Sequence, residues 1–479
     1  MKKILAVTAA LAIATIMLVA PVGTASTTVS FEYTVNPIAI PLGPLGPNTT
    51  LPNGLPLCKS TGLGNIVCYS PKFVRKAYSV PSSLDGSGQT IVIVDAFGSP
   101  TIRQDLALFD LVFGLPDPPS FTIFCGNSPN PFDESTCPIV NINNQNPHGA
   151  FGWTIETSLD VQWAHAIAPG ANIVLVVAAT NSGNAINDAE AAAIAAFPGA
   201  VFSQSFGIPE IFITGSGNRG QVNQAQRNYA NGVAVGDTFF ASAGDTGATF
   251  GFSTAMNNFP ASDLHNVAVT GTQGLPYNAT GTLQPCPTST PFSCTSGLSA
   301  YHGPCVLGRT VAPNCVADGY GGEQVWNEPS FGVATGGAPS LLFGVPSYQS
   351  GLGLTARGPD VSYNAAIDGG VLVVYGGLGF PVLFIVGGTS AGSPQWAGIT
   401  ALANQARANI GKGPIGDLNP VLYSIYHSSR YSSDFHDITV GDDKLVGTPV
   451  GYPAGTGYDL ATGIGSPVVS ELIVDLAAA

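Results

Sequence analysis

The chain has 479 residues, of which 45% are apolar and 9% charged, whereas an average globular protein has about 25% charged residues. Its mean hydropathy of +0.28 argues against intrinsic disorder, which needs low hydrophobicity and high net charge. The formal net charge of −14 and the absence of a basic cluster argue against a nucleic-acid partner, because phosphate binding needs clustered Lys and Arg.

The first 25 residues predict a secretory signal peptide. Lys2 and Lys3 precede an apolar run over residues 4–20, and small residues follow before Ser26. We therefore expect cleavage near Ser26, a secreted mature protein and no membrane association after cleavage. An uncleaved membrane anchor is the alternative, because the apolar run is just long enough to span a bilayer.

Residues 26–69 are rich in Pro, Gly, Thr and Asn and have no helical period, which indicates an extended leader, linker or short prosegment. From residue 70 to residue 479, apolar β-rich segments alternate with helical patterns. This alternation predicts an α/β domain with a mostly parallel central sheet and helices on both faces. The expected strands cover residues 89–95, 172–178, 201–207, 238–244 and 266–270, and the expected helices cover residues 102–113, 153–167, 185–197, 222–230 and 399–408.

Eight cysteines in an exported chain indicate disulfides. They are close neighbours in sequence, so we expect local pairs, although eight cysteines allow many connectivities. A metal site is less expected because no C-x-x-C pair occurs. Residues 276–320 are predicted to be a surface insertion that carries four of the cysteines. The expected pairs are Cys58 with Cys68, Cys125 with Cys137, Cys286 with Cys294, and Cys305 with Cys315.

The most informative motif is the glycine-rich segment 387–398, which places Ser390 at the start of a helical pattern. A helix N-terminus offers unpaired N–H groups and partial positive charge, which suits a serine that passes through an oxyanion. The alternative is an N-cap serine in a glycine-rich turn.

A serine nucleophile needs a base, and two carboxylates are better candidates than the six histidines. Glu156 and Asp160 are four residues apart in a helical pattern, so both project from one face. A close, desolvated pair of acids titrates as a coupled dyad with one pKa raised. Such a pair accepts a proton in acid, where a histidine is already protonated. The alternative is a surface helix with two unrelated acids.

Further carboxylates follow strands or lie in glycine-rich turns. Asp245 ends a predicted strand and, when protonated, can donate to an oxyanion; an Asp-x-Gly turn is the alternative. Near the C-terminus, two carboxylates and closely spaced backbone carbonyls suit Ca²⁺, although such turns also occur without metal. Residues 215–220 match the G-x-G-x-x-G pattern of dinucleotide sites, but they lie in mid-chain, outside a first βαβ unit.

Together these segments resemble the sedolisin family of serine-carboxyl peptidases, from about residue 71 to residue 479. Segment 388–394 is similar to the family's nucleophile motif, Glu156-x-x-Leu-Asp160 to its paired carboxylates, and segment 242–245 to the segment carrying its oxyanion Asp. Weaker matches follow in the family's order, and their agreement in one order is more specific than any single match. These weaker matches are segments 321–326, 334–337, 346–349 and 359–362.

The resemblance implies a subtilisin-like fold and a peptidase that hydrolyses proteins or peptides in acid. We expect the protein to be a monomer. It makes Ser390 the nucleophile, Glu156 the general base, Asp160 the residue that holds and tunes Glu156, and Asp245 the oxyanion stabiliser. It also implies one Ca²⁺ ion, bound by the side chains of Asp437 and Asp459 and the carbonyls of Ile438, Gly455 and Gly457.

Two features depart from the family pattern. Family members usually carry a large folded prosegment, whereas residues 26–69 precede the domain here, so the resemblance does not imply inhibition by a prodomain. The cysteine-bearing insertion is also outside the pattern. Three other functions remain open, namely a subtilisin-like peptidase using Asp95, His148 and Ser390, an inactive binding protein with this fold, and a glycosidase using the paired acids.

Overall fold

The computed structural model describes residues 30–45, 57–60, 64–139, 150–274, 284–285, 301–302, 306–307, 310–311 and 320–479. The predicted signal peptide, and with it the alternative membrane anchor, lies outside these residues. So does His148. The cysteines of the predicted insertion are also outside them, namely Cys286, Cys294, Cys305 and Cys315.

Twelve labelled strands and nine labelled helices are sufficient to describe the architecture of these residues. The strands are β1 (Ile38–Pro44), β2 (Leu57–Ser60), β3 (Gly64–Tyr69), β4 (Thr90–Ala96), β5 (Phe121–Cys125), β6 (Asn172–Ala178), β7 (Val201–Gln204), β8 (Thr238–Ser242), β9 (Asn266–Gln273), β10 (Val361–Asn364), β11 (Gly370–Tyr375) and β12 (Val382–Gly387). The helices are α1 (Pro71–Ala77), α2 (Ile102–Phe113), α3 (Ala150–Ile167), α4 (Gly183–Ala196), α5 (Arg219–Ala234), α6 (Gly392–Asn409), α7 (Asn419–Tyr426), α8 (Tyr431–Asp434) and α9 (Val469–Ala478).

Short elements lie between these strands and helices. The two-residue strands are Ile208–Pro209, Asn258–Phe259, Gln284–Pro285, Tyr301–His302, Val306–Leu307, Thr310–Val311, Gln324–Val325, Asn327–Glu328, Val333–Ala334, Phe435–His436 and Ser466–Pro467. Single 3₁₀ turns occur at Glu134–Thr136, Glu210–Phe212, Ser347–Gln349 and Thr389–Ala391.

The central sheet has the strand order β9-β8-β7-β4-β6-β5, and every neighbouring pair in this series is parallel. Strand β10 also pairs with β9 in parallel. The short strand Gln324–Val325 pairs with β9 in the antiparallel direction. The predicted α/β fold with a mostly parallel central sheet is therefore confirmed.

Side chains of the central strands alternate between two apolar cores. In β4, Ile91 and Ile93 face one core, whereas Val92 and Val94 face the other. The first core packs against α3, α6 and α9, and the second packs against α4 and α5. Burial on both faces explains why these strands are continuous apolar runs, as parallel strands under helices require.

A second sheet, with strand order β1-β12-β11-β3-β2, lies on the side of α3 away from the central sheet. The Trp163 indole N–H donates to the Leu372 carbonyl at 2.9 Å, and Gln162 exchanges two hydrogen bonds with the backbone of Val374 in β11. Helix α3 is thus enclosed between two sheets, which fits its lack of a polar face.

Two predicted strands are shorter in the structure because the chain turns toward the Ser390 region. The segment predicted at 201–207 pairs in the central sheet only through Gln204, and residues 205–207 leave the sheet. The segment predicted at 238–244 ends at Ser242, and Gly244 has a φ of 102°. Only glycine adopts such a φ readily.

The described cysteines form two of the predicted local disulfides, Cys58–Cys68 and Cys125–Cys137. The first joins β2 to β3, and the second ties the end of β5 to the following loop. Within the described part of the chain, no helix combines the length and apolar character needed to cross a membrane.

We predict that α6 depends on its contact with the central sheet. Phe240 in β8 is fully buried and stacks on Trp396 of α6 with ring centroids 6.1 Å apart, whereas Phe380 is 51% exposed. Phe240→Ala should therefore lower the free energy of unfolding by about 3–5 kcal/mol, and Phe380→Ala by less than about 1 kcal/mol. Urea denaturation measures both values, and equal losses would contradict this packing.

Candidate active site

Ser390 lies in a tight turn between β12 and α6. Gly388 has a φ of 123°, and a Cβ at this residue would lie 2.7 Å from Oδ2 of Asp245. Gly387 is equally confined, since its Cβ would lie 2.5 Å from the Ala366 carbonyl oxygen. The two glycines therefore let the backbone approach its neighbours and deliver Ser390 in the 3₁₀ turn just before α6.

Glu156 and Asp160 project from α3 beneath this turn, and both side chains are fully buried. The Ser205 hydroxyl donates to Oδ1 of Asp160 at 2.9 Å and also lies 3.2 Å from the Ser390 carbonyl oxygen. Ser205 therefore links the second carboxylate to the turn that carries Ser390.

Ser390 and Glu156 are close but have no hydrogen bond of regular geometry. The Ser390 hydroxyl points to the Ser205 carbonyl oxygen at 3.4 Å, and neither Glu156 oxygen has a partner among the described residues. Burial raises the pKa of Glu156 well above its usual range, and the nearby Ser390 hydroxyl partly offsets this rise. A rotation of the hydroxyl is the change that would join the two groups.

Asp95, at the end of β4, is a third buried carboxylate at this site. Burial raises its pKa well above the usual range, and neither of its oxygens has a partner of regular geometry among the described residues. Its charge also raises the pKa values of Glu156 and Asp160. We call Asp95, Glu156 and Asp160 the carboxylate cluster; close acids without a cation hold protons in common.

Asp245 lies on the other side of the Ser390 turn, in the loop after β8. Its Oδ1 accepts hydrogen bonds from the backbone N–H and the hydroxyl of Thr389, both at 2.8 Å. Burial raises the pKa of Asp245 to about 6, although these two hydrogen bonds oppose the rise. Its Oδ2 faces Gly388.

A cavity of about 370 Å³ opens in front of Ser390. Ser390 and Asp245 line it, whereas the members of the carboxylate cluster lie behind Ser390 and do not. Its apolar lining includes Phe206, Phe212, Phe250 and Phe252. The leader contributes Glu32 and residues 34–36. We call this space the Ser390 cavity.

Sequence reasoning missed two of these features. It noted Asp95 only as a partner of His148, although an acid that ends a parallel strand was a signal for this edge of the sheet. Ser205 carried no signal, because a hydroxyl residue after an apolar strand is common. His148, which that alternative mechanism also requires, lies outside the described residues.

The residues predicted to bind Ca²⁺ lie together around one turn. Asp437 accepts hydrogen bonds from the Gly457 N–H at 3.0 Å, and Asp459 accepts one from the Gly455 N–H at 3.0 Å. Ile438 follows Asp437 and is buried. In the described ranges, no group of three or more His, Cys, Asp or Glu side chains is arranged to hold a metal.

The glycine pattern at 215–220 lacks the surroundings of a dinucleotide site. It begins α5, but a 3₁₀ turn at Glu210–Phe212, not a strand of the central sheet, precedes it. Added Cβ atoms at Gly215, Gly217 and Gly220 would meet nothing within 4 Å, so these glycines serve no close backbone approach.

Known proteins resemble the chain along most of its length. Kumamolisin of Bacillus sp. strain MN-32 is 29% identical over 418 residues, covering 85% of this chain and 63% of the relative. Sedolisin of Pseudomonas sp. strain 101 is 26% identical over 421 residues, covering 86% and 62%. A solved structure of Pseudomonas sedolisin, a serine-carboxyl proteinase complexed with pseudo-iodotyrostatin, matches with a TM-score of 0.65 at 26% identity, covering 87% of this chain and 99% of that one.

The chain is thus similar to members of the sedolisin family over most of its length. No family model matches it. The match to sedolisin confirms the predicted subtilisin-like fold. The chain spans 63% of the length of kumamolisin and 62% of that of sedolisin.

Buried acids with raised pKa values extend beyond the Ser390 region of the chain. Burial raises the pKa of Glu190 to about 8, of Glu328 to about 8 and of Asp105 to about 7. Such groups bind protons more tightly when folded than when unfolded. Their contribution to stability is therefore complete below the unfolded carboxyl pKa of about 4 and is lost as the pH rises through the folded values.

We predict that the free energy of unfolding falls from about pH 5 to about pH 8. Glu190→Gln should reduce this slope by up to about 1.4 kcal/mol per pH unit, because Glu190 no longer releases a proton when the protein unfolds. Glu471→Gln, at a side chain that is 49% exposed, is the matched control and should leave the slope unchanged. Urea denaturation across the pH range measures the slope, and a rise in stability toward pH 8 would contradict the prediction.

Proposed function

We propose that the protein is a secreted serine-carboxyl peptidase that hydrolyses peptide bonds of proteins in acid. One observation carries the proposal: Ser390 lies between a buried carboxylate cluster behind it and Asp245 in front, at the wall of a cavity. A nucleophile with a base behind it and a proton donor in front is the arrangement that acyl transfer needs.

In the proposed reaction, Ser390 Oγ attacks the carbonyl carbon of the peptide bond while its proton passes to Glu156. The carbonyl electron pair moves onto oxygen and forms a tetrahedral oxyanion. When the C–N bond breaks, Glu156 gives its proton to the leaving amine, and an acyl-enzyme remains. Water then attacks the ester, one proton returns through Glu156 to Ser390 Oγ, and the free acid leaves.

The other cluster members tune Glu156 in this proposal. Asp160 is held by the Ser205 hydroxyl, and burial, together with the charges of Asp95 and Glu156, raises its pKa. Asp95 raises the pKa of Glu156 directly. A carboxylate with a raised pKa is a stronger base than an ordinary one, and sharing of protons keeps one member ionised in mild acid.

Asp245 is the proposed oxyanion stabiliser. A carboxyl group donates a hydrogen bond only when protonated, and its pKa of about 6 gives that form in acid. Thr389 holds Oδ1 through two hydrogen bonds, so the proton belongs on Oδ2, beside the Ser390 turn. The need for a protonated Asp245 therefore ties the proposed reaction to acid more directly than the role of Glu156 as base does.

The positions of these acids disfavour two of the alternative functions that the sequence leaves open, the glycosidase and the peptidase that uses His148. A glycosidase needs both acids to face the substrate across a cleft, whereas Glu156 and Asp160 lie behind Ser390 and outside the cavity lining. Asp95 adjoins Glu156 and Asp160, so the residue that the His148 mechanism would need belongs to the carboxylate cluster. We further propose protein or peptide substrates and a monomeric enzyme.

We also propose one Ca²⁺ ion at Asp437 and Asp459. The residues fit this ion, because two carboxylates converge on a glycine turn and neither has an ion pair with Lys or Arg among the described residues. With the carbonyls of Ile438, Gly455 and Gly457 they form an oxygen-only ligand set, as Ca²⁺ prefers. When bound, the ion would neutralise the two charges and tie the turn together.

Substitutions at Ser390 and its neighbours test the peptidase proposal. Ser390→Ala should lower the rate of cleavage of a denatured protein in acid by at least about a thousandfold, because it removes the nucleophile. Ser393→Ala is the matched control, since Ser393 is a buried serine one helical turn away that bonds Ser203 at 2.8 Å. Cleavage that survives Ser390→Ala would contradict the proposal and favour an inactive fold with contaminating activity.

The base is tested by two further variants. Glu156→Gln should lower the rate by at least about a hundredfold, whereas His148→Ala should leave it unchanged. Loss of activity in the His148 variant alone would instead support the histidine mechanism.

The Ca²⁺ proposal is tested by stability. In the intact protein, Ca²⁺ at a hundred times its dissociation constant should raise the free energy of unfolding by about 2.7 kcal/mol near neutral pH. Asp459→Asn should abolish this gain, and Asp188→Asn, at an exposed residue, should retain it. A gain that Asp459→Asn does not reduce would place the ion elsewhere.

A further inference from the structure

Two cavities lie next to each other along helix α5, outside the Ser390 cavity. One has a volume of about 430 Å³ and lies between α5 and residues 341–343. The other has a volume of about 390 Å³ and lies between α5 and residues 264–265. Asn223 and Gln226 line both cavities, so the two form one continuous groove, which we call the α5 groove.

One stripe of α5 forms a wall of this groove. Its residues follow the first of them at intervals of three, four, seven, eight and eleven positions, which is the spacing of residues on one face of a helix. The other face of α5 packs into the second core through Ala225 and Tyr229. The α5 residues that line the groove are Arg219, Val222, Asn223, Gln226, Arg227 and Ala230.

The groove contains two arginines whose charges are not used inside the protein. Both side chains, those of Arg219 and Arg227, are exposed, and neither has a hydrogen bond or an ion pair among the described residues. The other described arginines bond carboxylates or backbone carbonyls, namely Arg75, Arg103, Arg357, Arg407 and Arg430. The two unpaired guanidinium groups are therefore available to an anionic ligand.

No acid lines the α5 groove in the described part of the chain. Two acids beside it have partners of their own. Asp188 accepts a hydrogen bond from the Gln224 amide at 2.7 Å, and Asp417 lies 3.7 Å from the ring of His265 at one end of the groove. The groove is thus locally cationic, although the chain as a whole has a formal net charge of −14.

The α5 groove begins beside the Ser390 cavity. Phe212 lines that cavity, and the next two residues, 213–214, line the groove. The buried carboxylate of Glu210 accepts a hydrogen bond from the Leu341 N–H, which ties the segment between the two spaces to the other wall of the groove. A polypeptide that leaves the Ser390 cavity past Phe212 therefore enters the α5 groove.

The groove side chains fit an extended segment that carries carboxylates. Arg219 and Arg227 are eight residues apart in one helix, a rise of about 12 Å, which an extended chain spans in about four residues. Guanidinium groups bind carboxylates through charge-assisted hydrogen bonds. Asn223 and Gln226 lie between the two arginines, and their amides both donate to and accept from a peptide backbone.

We propose that the α5 groove binds an acidic segment of the polypeptide substrate, distant from the bond that is cut. The proposal rests on the proposed peptidase function and names the preferred substrates: unfolded polypeptides that reach from Ser390 to α5 and carry Asp or Glu in that distant segment. Contacts far from the reacting bond hold the substrate equally before and during the reaction. They therefore lower KM and leave kcat unchanged.

Two peptides that share one cleaved sequence test the proposal. Each has long flanks on both sides, and the flanks differ only in carrying Glu or Gln. At about pH 5, where most free Glu side chains are ionised, the unaltered chain should cleave the Glu peptide with a kcat/KM at least about fivefold higher, through KM.

Two double variants with the same change in charge identify the site of this preference. Arg219→Gln with Arg227→Gln should remove the preference and leave cleavage of the Gln peptide unchanged. Lys72→Gln with Lys76→Gln, at two exposed residues of α1, should retain the preference. Equal cleavage of both peptides by the unaltered chain, or a preference that survives the arginine substitutions, would overturn the proposal.

A binding measurement separates this proposal from the peptidase proposal. In chains that also carry Ser390→Ala, the labelled Glu peptide should bind at least about fivefold more weakly once both arginines are replaced. Equal affinities would overturn the proposal. Binding that needs the arginines, without cleavage by any chain, would support the groove and contradict the peptidase function. Arginine-dependent binding of polygalacturonate, an anionic polysaccharide, without binding of the Glu peptide would overturn a polypeptide as the ligand.

Discussion

The structure depends on the burial of acidic side chains in helix α3 between two sheets. A carboxylate in an apolar interior is unstable unless it is paired, hydrogen-bonded or protonated. Glu156 and Asp160 are enclosed on both sides, and Asp95 adds a third acid at the end of β4. No Lys or Arg forms an ion pair with these three in the described part of the chain, so protonation, together with the hydrogen bond from Ser205 to Asp160, is the means by which they tolerate burial.

This constraint connects the fold to the proposed chemistry. Groups that hold protons when buried make the folded state relatively more stable in acid, and the same groups are the proposed base and its tuning partners. Asp245 follows the same rule on the opposite side of Ser390, with its pKa raised to about 6. Stability and the proposed reaction therefore favour the same pH range for one physical reason, which also gives the low content of Lys and Arg a rationale.

Much of the fold and of the candidate site could be predicted from the sequence, because these features depend on residues that are close together in the chain. The apolar runs of β4 and β6 predicted a parallel sheet, and the spacing of Glu156 and Asp160 placed both on one helical face. The glycines before Ser390 predicted a tight turn. The contribution of Ser205 and the docking of the leader were not predictable, because both depend on contacts between segments far apart in sequence. Leader residues such as Thr34 pair with Gly207, 173 residues away, and no local pattern marks such a partner.

The central claim is that the protein works in acid because Asp245 must be protonated to stabilise an oxyanion. The most direct measurement is the pH dependence of kcat/KM for a peptide substrate, compared between the unaltered chain and Asp245→Asn. The account predicts a loss of activity as the pH rises through about 6 in the unaltered chain, and no such loss in Asp245→Asn, whose amide donates a hydrogen bond at every pH. An unchanged loss near that pH in Asp245→Asn would contradict it.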